Sequence, residues 1–328
     1  MFNAIQVNKD DAGYRAEFVQ LNENDLPAGD VRVRVEYSTL NYKDAMALTG
    51  RVLPIVQKFP MVPGIDLAGV VEESSSDRFK QGDRVLLNGY GIGEAHWGGL
   101  SELAQVSSDW LVPVPAALSN RDTMIIGTAG YTAMLSVQAL QDQGVTPEKG
   151  DILVTGANGG VGSFSISLLS KLGYRVVAST GRPQEAEYLK RLGAAEIIHR
   201  DELNQPGAPM QPERWAGAVD CVGSHTLMNV LASTRYGGAV TACGLAQGLD
   251  LPGNLMPFIL RSVKLIGVDC VTRPYADRLQ AWGRLAELVT ADMLSEISRE
   301  ISLAEVVPTA HALLDGDVRG RVLVNLGL

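Results

Sequence analysis

Four glycines that follow a short apolar run have the clearest chemical meaning in this sequence: Gly156, Gly159, Gly160 and Gly162. The run before them, Ile152–Val154, is typical of a buried parallel strand. After them Phe164, Leu168 and Leu172 recur every four residues, which predicts the apolar stripe of a helix. Such a turn brings the backbone close to a pyrophosphate at the free N–H groups of a helix N-terminus, so it predicts a dinucleotide site. Ala157 stands where the common fingerprint has its first glycine, and a glycine-rich turn without a ligand is the alternative.

The tip of the following strand indicates which dinucleotide would bind. In NAD sites an acidic residue about 20 positions past the glycines holds the ribose 2′-hydroxyl, and this tip has no Asp or Glu. Ser179 and Thr180 are small hydrogen-bonding residues, and Arg182 is a planar cation that suits a phosphate. The pattern predicts NADPH, with Arg200 after the third strand as a second cation. The alternative is that Arg182 only opens the next helical region.

These motifs lie in a segment that alternates strand and helix from about residue 120 onward. The strands predicted after Ile152–Val154 are five short runs: 174–179, 196–199, 218–222, 239–243 and 265–268. Helices are predicted at 122–139, 184–192 and 225–232. The alternation predicts an α/β fold with a doubly wound parallel sheet.

The first 120 residues follow a different pattern. Alternating runs such as Val31–Glu36, separated by glycine turns, predict the short strands of a compact barrel-like domain. The tail returns to this style, with a strand expected at 297–301, a helix at 303–314 and a strand at 321–325. We therefore expect a discontinuous substrate domain, residues 1–122 and 297–328, and a dinucleotide-binding domain, residues 123–296. A ligand is expected in the cleft between them.

Size and composition narrow the functional classes. The 328 residues suffice for two domains, and 46% of them are hydrophobic. No apolar run approaches the roughly 20 residues that span a bilayer, and the net charge of −9 argues against nucleic acid or an anionic membrane as partner. No basic segment or cleavage site precedes the first strand pattern, so a cytoplasmic location is the default expectation. The three cysteines and four histidines are scattered, which leaves little from which to build a metal site.

Several short motifs span nearly the whole chain in the order of a known family: Ser38–Asp44, Phe59–Gly69, Gly93–Gly99, Ile126–Ala133, Leu189–Ala194, Ala242–Leu245, Met256–Arg261 and Gly320–Val324. The Asn-Tyr-Lys-Asp and Met-Pro-Phe-Ile-Leu-Arg elements are specific, whereas many dehydrogenases share the glycine turn. On these motifs the chain resembles the zinc-independent branch of the medium-chain dehydrogenase/reductase superfamily, and within it the acryloyl-CoA reductases of the bacterial quinone-oxidoreductase-like group. The resemblance implies a Rossmann sheet plus a discontinuous GroES-like β-barrel domain, NADPH as cofactor and a homodimer.

The same resemblance bears on the metal. Zinc alcohol dehydrogenases of the superfamily are similar around Pro63, but they carry Gly-His-Glu there and a Cys near Asn41. This sequence has Ile65 and Asp66 at that place and no Cys before Cys221. We therefore expect no catalytic zinc, so that a C=C bond conjugated to a carbonyl is the favoured acceptor.

The resemblance implies reduction of acryloyl-CoA to propanoyl-CoA, with hydride added to the β-carbon and charge developing on the thioester oxygen. Asn41 and Tyr42 are the candidate catalytic residues. Asn41 would donate to that oxygen, and Tyr42 would donate a hydrogen bond, stack on the nicotinamide or only form a wall. Asp44 either orients Lys43 or a backbone group, or is a solvated turn carboxylate, and Arg261 meets a CoA phosphate or a partner subunit, or is a surface residue. The expected cofactor contacts are Tyr42, Thr132, Asn158, Gly159, Gly160, Val161, Ser179, Thr180, Gly181, Arg182, Arg200, Gly244 and Leu245.

Two other functions stay open at this level. An NADPH quinone or alkenal reductase would have the same fold and cofactor site and differ only in its acceptor pocket. A dinucleotide-binding protein without turnover, used as a redox sensor, is the alternative from a different class.

Overall fold

The computed structural model describes all residues from Met1 to Leu328, and its contacts divide the chain into two compact units. The first unit comprises residues 1–128, 270–287 and 298–328, and the second comprises residues 129–269 and 288–297. These units differ from the predicted domains chiefly at residues 270–287, which belong to the first unit and not to the dinucleotide-binding one. The reason is Arg278, whose buried guanidinium donates to the carbonyl of Asn88 at 2.7 Å and lies 4.2 Å from the Tyr90 ring centroid.

The N-terminal part of the first unit is mainly β-structure, as predicted. Its elements are β1 (Phe2–Asp10), β2 (Gly13–Leu21), β3 (Val31–Leu40), α1 (Tyr42–Thr49), β4 (Asp66–Ser74), β5 (Arg84–Asn88), β6 (Leu103–Val106) and β7 (Val112–Pro113). Helix α2 (Asn120–Asp142) follows, and its residues up to 128 belong to the first unit and the rest to the second. Along β3 the side chains of Val31, Val33 and Val35 are buried alternately, which matches the period of a strand with one face on a core. Helix α2 contains one break, at Gly127, where φ is 49° and ψ is −160°.

The second unit contains a six-stranded parallel sheet with helices attached to it. Its elements in chain order are β8 (Ile152–Val154), α3 (Gly160–Lys171), β9 (Val176–Thr180), α4 (Ala186–Arg191), β10 (Ala194–His199), β11 (Trp215–Asp220), α5 (Ser224–Ala232), β12 (Thr234–Ala242), α6 (Met256–Arg261) and β13 (Lys264–Gly267). The strand order β10-β9-β8-β11-β12-β13 is that of a doubly wound sheet, which confirms the predicted α/β class. The glycine turn lies between β8 and α3, where the strand order reverses.

The remaining elements are α7 (Tyr275–Leu288), α8 (Ala291–Ile297), β14 (Ser298–Ser302), α9 (Val306–Leu314) and β15 (Arg321–Asn325). Strands β14 and β15 complete a seven-stranded sheet of order β14-β15-β3-β4-β5-β7, with β6 paired to β3. Val33, Leu67, Val322 and Val324 are among the apolar side chains of its buried core. No helix of the chain combines the length and the apolar character that a membrane span requires.

Candidate active site

The glycine turn of the second unit has the backbone geometry of a phosphate-binding turn. Helix α3 begins at Gly160 with Gly159 as its N-cap, so its free N–H groups follow β8 directly. Gly156 has φ 60°, in the left-handed region. A Cβ at Gly162 would lie 2.4 Å from the Gly156 carbonyl oxygen, so only glycine fits there. The turn therefore keeps its backbone open to an anionic ligand.

Asn158, in the middle of this turn, has a buried donor without a protein partner. Its Oδ1 accepts the hydroxyl of Thr180, and its Nδ2 has no hydrogen-bond partner although it is buried. An unpaired buried donor costs about 1–3 kcal/mol, so a ligand oxygen at this place would remove a penalty. The residues present thus fit a dinucleotide.

The tip of β9 brings the predicted 2′-phosphate residues together. Ser179 and Thr180 are buried, and the Thr180 hydroxyl accepts the Arg182 N–H at 2.9 Å. A Cβ at Gly181 would lie 2.5 Å from Nε of Arg200, so glycine allows the Arg200 side chain to lie against the tip. The Arg200 side chain is 69% exposed, and its Nε is 4.0 Å from the nearest carboxylate oxygen, on Asp201. Arg200 is therefore available to an anion.

Gly244 and Leu245 line a pocket of about 530 Å³ at the carboxyl ends of β12 and β13. A Cβ at Gly244 would lie 2.3 Å from the Cys221 carbonyl oxygen, so this close approach also requires glycine. Val161 lies half-buried in the first turn of α3, and Thr132 is buried in α2. The cofactor candidates of the second unit thus lie mostly at the carboxyl edge of one sheet, where doubly wound folds bind ligands.

In the first unit, the side chain of Asn41 is fully used inside the protein. Its Nδ2 donates to Asp44 at 2.9 Å and to Asp66 at 2.7 Å, and its Oδ1 accepts from Arg321 at 2.9 Å. Both amide hydrogens are thus taken, and none is left for a thioester oxygen. This geometry therefore argues against the predicted role of Asn41 as a hydrogen-bond donor to the substrate.

Asp66 is the centre of this buried network. It accepts hydrogen bonds from Asn41, from Asn88 at 2.5 Å, and from the Thr128 hydroxyl and backbone N–H at 2.6 and 3.0 Å. Nη2 of Arg321 lies 3.8 Å from Oδ2 of Asp66. Burial lowers the pKa of the Arg321 guanidinium, while the charges of Asp66 and Asp44 act to raise it.

Asp44 is not a solvated turn carboxylate. It is fully buried and accepts the backbone N–H groups of Asn41 and Ile65, each at 2.8 Å, so it orients backbone groups. Burial raises the pKa of its carboxyl to about 7, and the nearby charge of Asp66 acts in the same direction. Lys43 instead pairs with Glu94 at 2.9 Å.

Tyr42 occupies the first position of α1, directly after the N-cap Asn41, and it is 40% exposed. Its ring is thus accessible from solvent while the neighbouring residue is fixed. Arg261, in contrast, is only partly exposed, since it pairs with Glu213 at 3.3 Å and its guanidinium donates to the carbonyls of Ala232 at 2.8 Å and Gln211 at 2.7 Å. That use in chain packing removes the reason to assign it to a CoA phosphate.

Sequence reasoning assigned no role to Asp66, Thr128 or Arg321. A signal was present, because Asp66 and Arg321 are each the first residue of a strand and are followed directly by an apolar run, 67–71 and 322–324. A charge in a buried strand needs a partner, so each of the two predicts the other.

Comparison with known proteins shows the family. Residues 27–116 match the family model of the alcohol dehydrogenase GroES-like domain, and residues 160–287 match that of the zinc-binding dehydrogenases. Acrylyl-CoA reductase AcuI of Ruegeria pomeroyi is 50% identical over 329 aligned positions, which cover 99% of each chain.

Solved structures agree. The yhdH oxidoreductase of Salmonella enterica, in complex with NADP, is 50% identical and superposes with a TM-score of 0.97 over 99% of both chains. The Bacillus subtilis protein yhfP, a putative quinone oxidoreductase solved with NAD bound, is 42% identical with a TM-score of 0.94 over 99% of both chains. The first unit thus contains the GroES-like fold and the second the Rossmann sheet, and the chain belongs to the medium-chain dehydrogenase/reductase family, in the group that contains the acrylyl-CoA reductases.

Proposed function

We propose that the protein is an NADPH-dependent reductase of an activated C=C bond, with acryloyl-CoA as its substrate and propanoyl-CoA as product. The choice of acryloyl-CoA as acceptor is supported by the 50% identity to an acrylyl-CoA reductase over 99% of each chain. The polar tip of β9 supports the cofactor, since Ser179, Thr180, Arg182 and Arg200 suit a 2′-phosphate and no carboxylate occupies the tip.

NADPH, when bound, supplies the hydride that the β-carbon of the thioester receives. The α-carbon then takes a proton from water or a side chain, and the residues of this chain bind and orient the reactants. The turn from Gly156 to Gly162 takes the pyrophosphate, and Arg182 and Arg200 hold the 2′-phosphate. The Tyr42 hydroxyl donates to the thioester oxygen as negative charge develops there. A well-placed donor of this kind contributes roughly 3–4 kcal/mol of transition-state stabilisation.

We further propose that the reaction uses no zinc, although the zinc-binding dehydrogenase model matches the chain. The residues where zinc relatives have ligands do not fit the ion. Asn41 and Asp66 are bonded to each other, and the Arg321 guanidinium lies 3.8 Å from Asp66, where it would repel a second cation. Metal analysis of the purified protein tests this proposal, and one zinc per chain at full activity, with loss of activity on chelation, would contradict it.

A quinone acceptor is the second candidate, because the Bacillus subtilis relative is a putative quinone oxidoreductase at 42% identity. The two functions are separated by measuring NADPH oxidation with acryloyl-CoA, crotonyl-CoA and 1,4-benzoquinone at equal enzyme concentration. We expect kcat/KM to be highest for acryloyl-CoA. A quinone rate far above both CoA rates would overturn the proposal, and no reduction of any acceptor despite NADPH binding would favour a binding protein without turnover.

We also propose a cytoplasmic homodimer that associates through one edge of the second unit. Strand β13 is the last strand of its sheet, so its outer backbone groups have no strand partner. The adjoining segment exposes large apolar side chains, among them Leu255 at 68% and Ile259 at 71%. A second copy presents the same edge, and two such edges are self-complementary about a two-fold axis.

A further inference from the structure

The buried network around Asp66 joins separate elements of the first unit. Asn41 caps α1, Asn88 ends β5, Thr128 lies in α2 just after its break, and Arg321 opens β15. All four donate to Asp66 or lie within ion-pair distance of it. Holding a charged pair in such a place is costly unless every polar atom has a partner. Every hydrogen-bonding atom of Asn41 has a partner here, and only Oδ1 of Asn88 lacks one, so a network of this extent indicates a role beyond packing.

The contacts converge on the first turn of α1. The Asn41 side chain cannot rotate without breaking its bonds to Asp44, Asp66 and Arg321. Its backbone N–H is bonded to Asp44 as well, so both parts of the N-cap residue are fixed. Tyr42 is the next residue, so the place of its backbone follows from that of Asn41.

We propose that Asp66 and Arg321 are positioning residues for the reduction, which lock Asn41 and thereby hold Tyr42 in the orientation that its hydroxyl needs at the reacting thioester. This inference rests on the proposed function, because that function assigns the Tyr42 hydroxyl to the substrate. Neither Asp66 nor Arg321 touches the substrate in this proposal, since both are buried, whereas Tyr42 is 40% exposed.

The substitution Asp66→Asn tests the proposal with little change of shape. It removes the charge that faces Arg321 and places an NH₂ group among donors that need an acceptor, so the first turn of α1 should shift. A displacement of about 1 Å at reacting groups costs about 100-fold in rate. The hydride step is measured in a single turnover of preformed enzyme–NADPH complex mixed with excess acceptor, followed by NADPH absorbance. The rate constant reports the chemistry, and the amplitude reports the fraction of intact enzyme.

We expect the rate constant of Asp66→Asn to fall by about 10- to 100-fold, with the amplitude and the Kd for NADPH unchanged. A lower amplitude with an unchanged rate constant would show a purely structural role and overturn the proposal. Asp30→Asn is the matched control, because Asp30 is also a hydrogen-bonded carboxylate of the first unit, bonded to the Ser108 N–H and hydroxyl at 2.6 Å each. Its rate constant should equal that of the wild type.

A double-mutant cycle shows whether Asp66 acts through Tyr42. If it does, Asp66→Asn should slow the Tyr42→Phe enzyme by less than threefold, because the hydroxyl to be positioned is already gone. Multiplicative effects of the two changes would overturn the proposal, as would a Tyr42→Phe enzyme with the wild-type rate constant. Arg321→Lys, which keeps the charge and loses the planar fork, provides the same readout if Asp66→Asn does not fold.

The acceptor used in these single-turnover measurements is the compound of the panel that the wild-type enzyme reduces fastest. If acryloyl-CoA is not reduced in that panel, the result contradicts the proposed substrate and not the positioning role. If the double-mutant cycle shows no coupling between residues 66 and 42, the result contradicts the positioning role and not the proposed substrate.

Discussion

At the scale of single residues, the chemistry of this protein is divided between exposed cations and buried carboxylates. Arg200 is exposed against Gly181 at the strand tip, where a phosphate can reach it. Asp44 and Asp66 are fully buried and bonded to backbone and side-chain donors, so they shape the protein without meeting a ligand. The two groups call for different measurements.

The two arginines near the tip of β9 predict a preference for NADPH over NADH. Arg182→Ala and Arg200→Ala should each weaken NADPH binding by roughly 10- to 100-fold, because a hydrogen bond to a charged group contributes about 1.5–3 kcal/mol. Binding of NADH should change little, since NADH lacks the 2′-phosphate. Fluorescence titration with both cofactors measures this. Arg175→Ala is the control, because Arg175 precedes the opposite end of β9 and pairs with Asp151 and Glu196. Equal affinity of the wild type for NADPH and NADH would contradict the assignment.

Asp44 predicts an unusual pH dependence of stability. Burial and the charge of Asp66 raise its pKa from 3.8 to about 7, with Arg321 as the nearby cation. The unfolded chain ionises this group near pH 4 and the folded chain only near pH 7, so folding becomes less favourable as the pH rises between them. The free energy of unfolding of the wild type should therefore fall relative to Asp44→Asn over this range, by on the order of 4 kcal/mol.

Denaturant unfolding of both proteins at several pH values measures this difference. Asp30→Asn provides a contrast of opposite sign. Burial acts to raise the pKa of Asp30, but its hydrogen bonds with Ser108 lower the value overall, so the wild type should gain stability relative to that variant as the pH rises from the acid range. A wild-type minus Asp44→Asn difference that does not change between pH 4 and 7 would contradict the assignment.

At the scale of elements, the start of α3 depends on how closely its backbone passes the turn before it. Gly162 has no room for a side chain, because the nearest backbone oxygen would be 2.4 Å from a Cβ. The close passage keeps the N–H groups of the helix at the mouth of the site, where a pyrophosphate would bind.

The substitution Gly162→Ala should therefore displace the helix start, weaken NADPH binding at least tenfold and lower the melting temperature. Gly283→Ala is the control, since Gly283 lies within α7 with nothing within 4 Å of its Cβ position. That change should leave NADPH binding intact and stabilise the protein by roughly 0.5–1 kcal/mol. Calorimetry and cofactor titration on both variants decide the matter, and normal NADPH affinity in Gly162→Ala would refute the close-passage argument.

At the scale of the whole molecule, local sequence patterns predicted most of the fold but not the hydrogen-bond network around Asp66. The strand at Arg321–Asn325 and the parallel sheet followed from apolar periodicity, which depends on neighbouring residues alone. Helix α1 was not predicted, because its eight residues lie between strands and follow no long stripe. The bonds among Asn41, Asp66 and Arg321 join residues far apart in sequence, and no local pattern shows which of them meet.

The dimer prediction belongs to this scale. Ile259→Glu places a charge in the exposed apolar segment beside β13 and should convert a dimer to a monomer, as measured by light scattering over a range of protein concentrations. Phe18→Glu is the control, because Phe18 is an exposed aromatic residue on β2 of the other unit and its replacement should leave the mass unchanged. A wild type that is monomeric at every concentration would refute the dimer.

The break of α2 at Gly127 has a consequence for how this sequence can change over time. A Cβ at that position would lie 2.5 Å from Nη2 of Arg321 and 2.9 Å from Oδ2 of Asp66. The ion pair therefore occupies the space that a side chain at residue 127 would need, and an exchange of one member of this trio while the other two stay should lower activity. Changes at these positions should therefore occur together, and a chimaera of two family members that differ at residues 66, 127 and 321 should retain full activity only when all three come from the same parent.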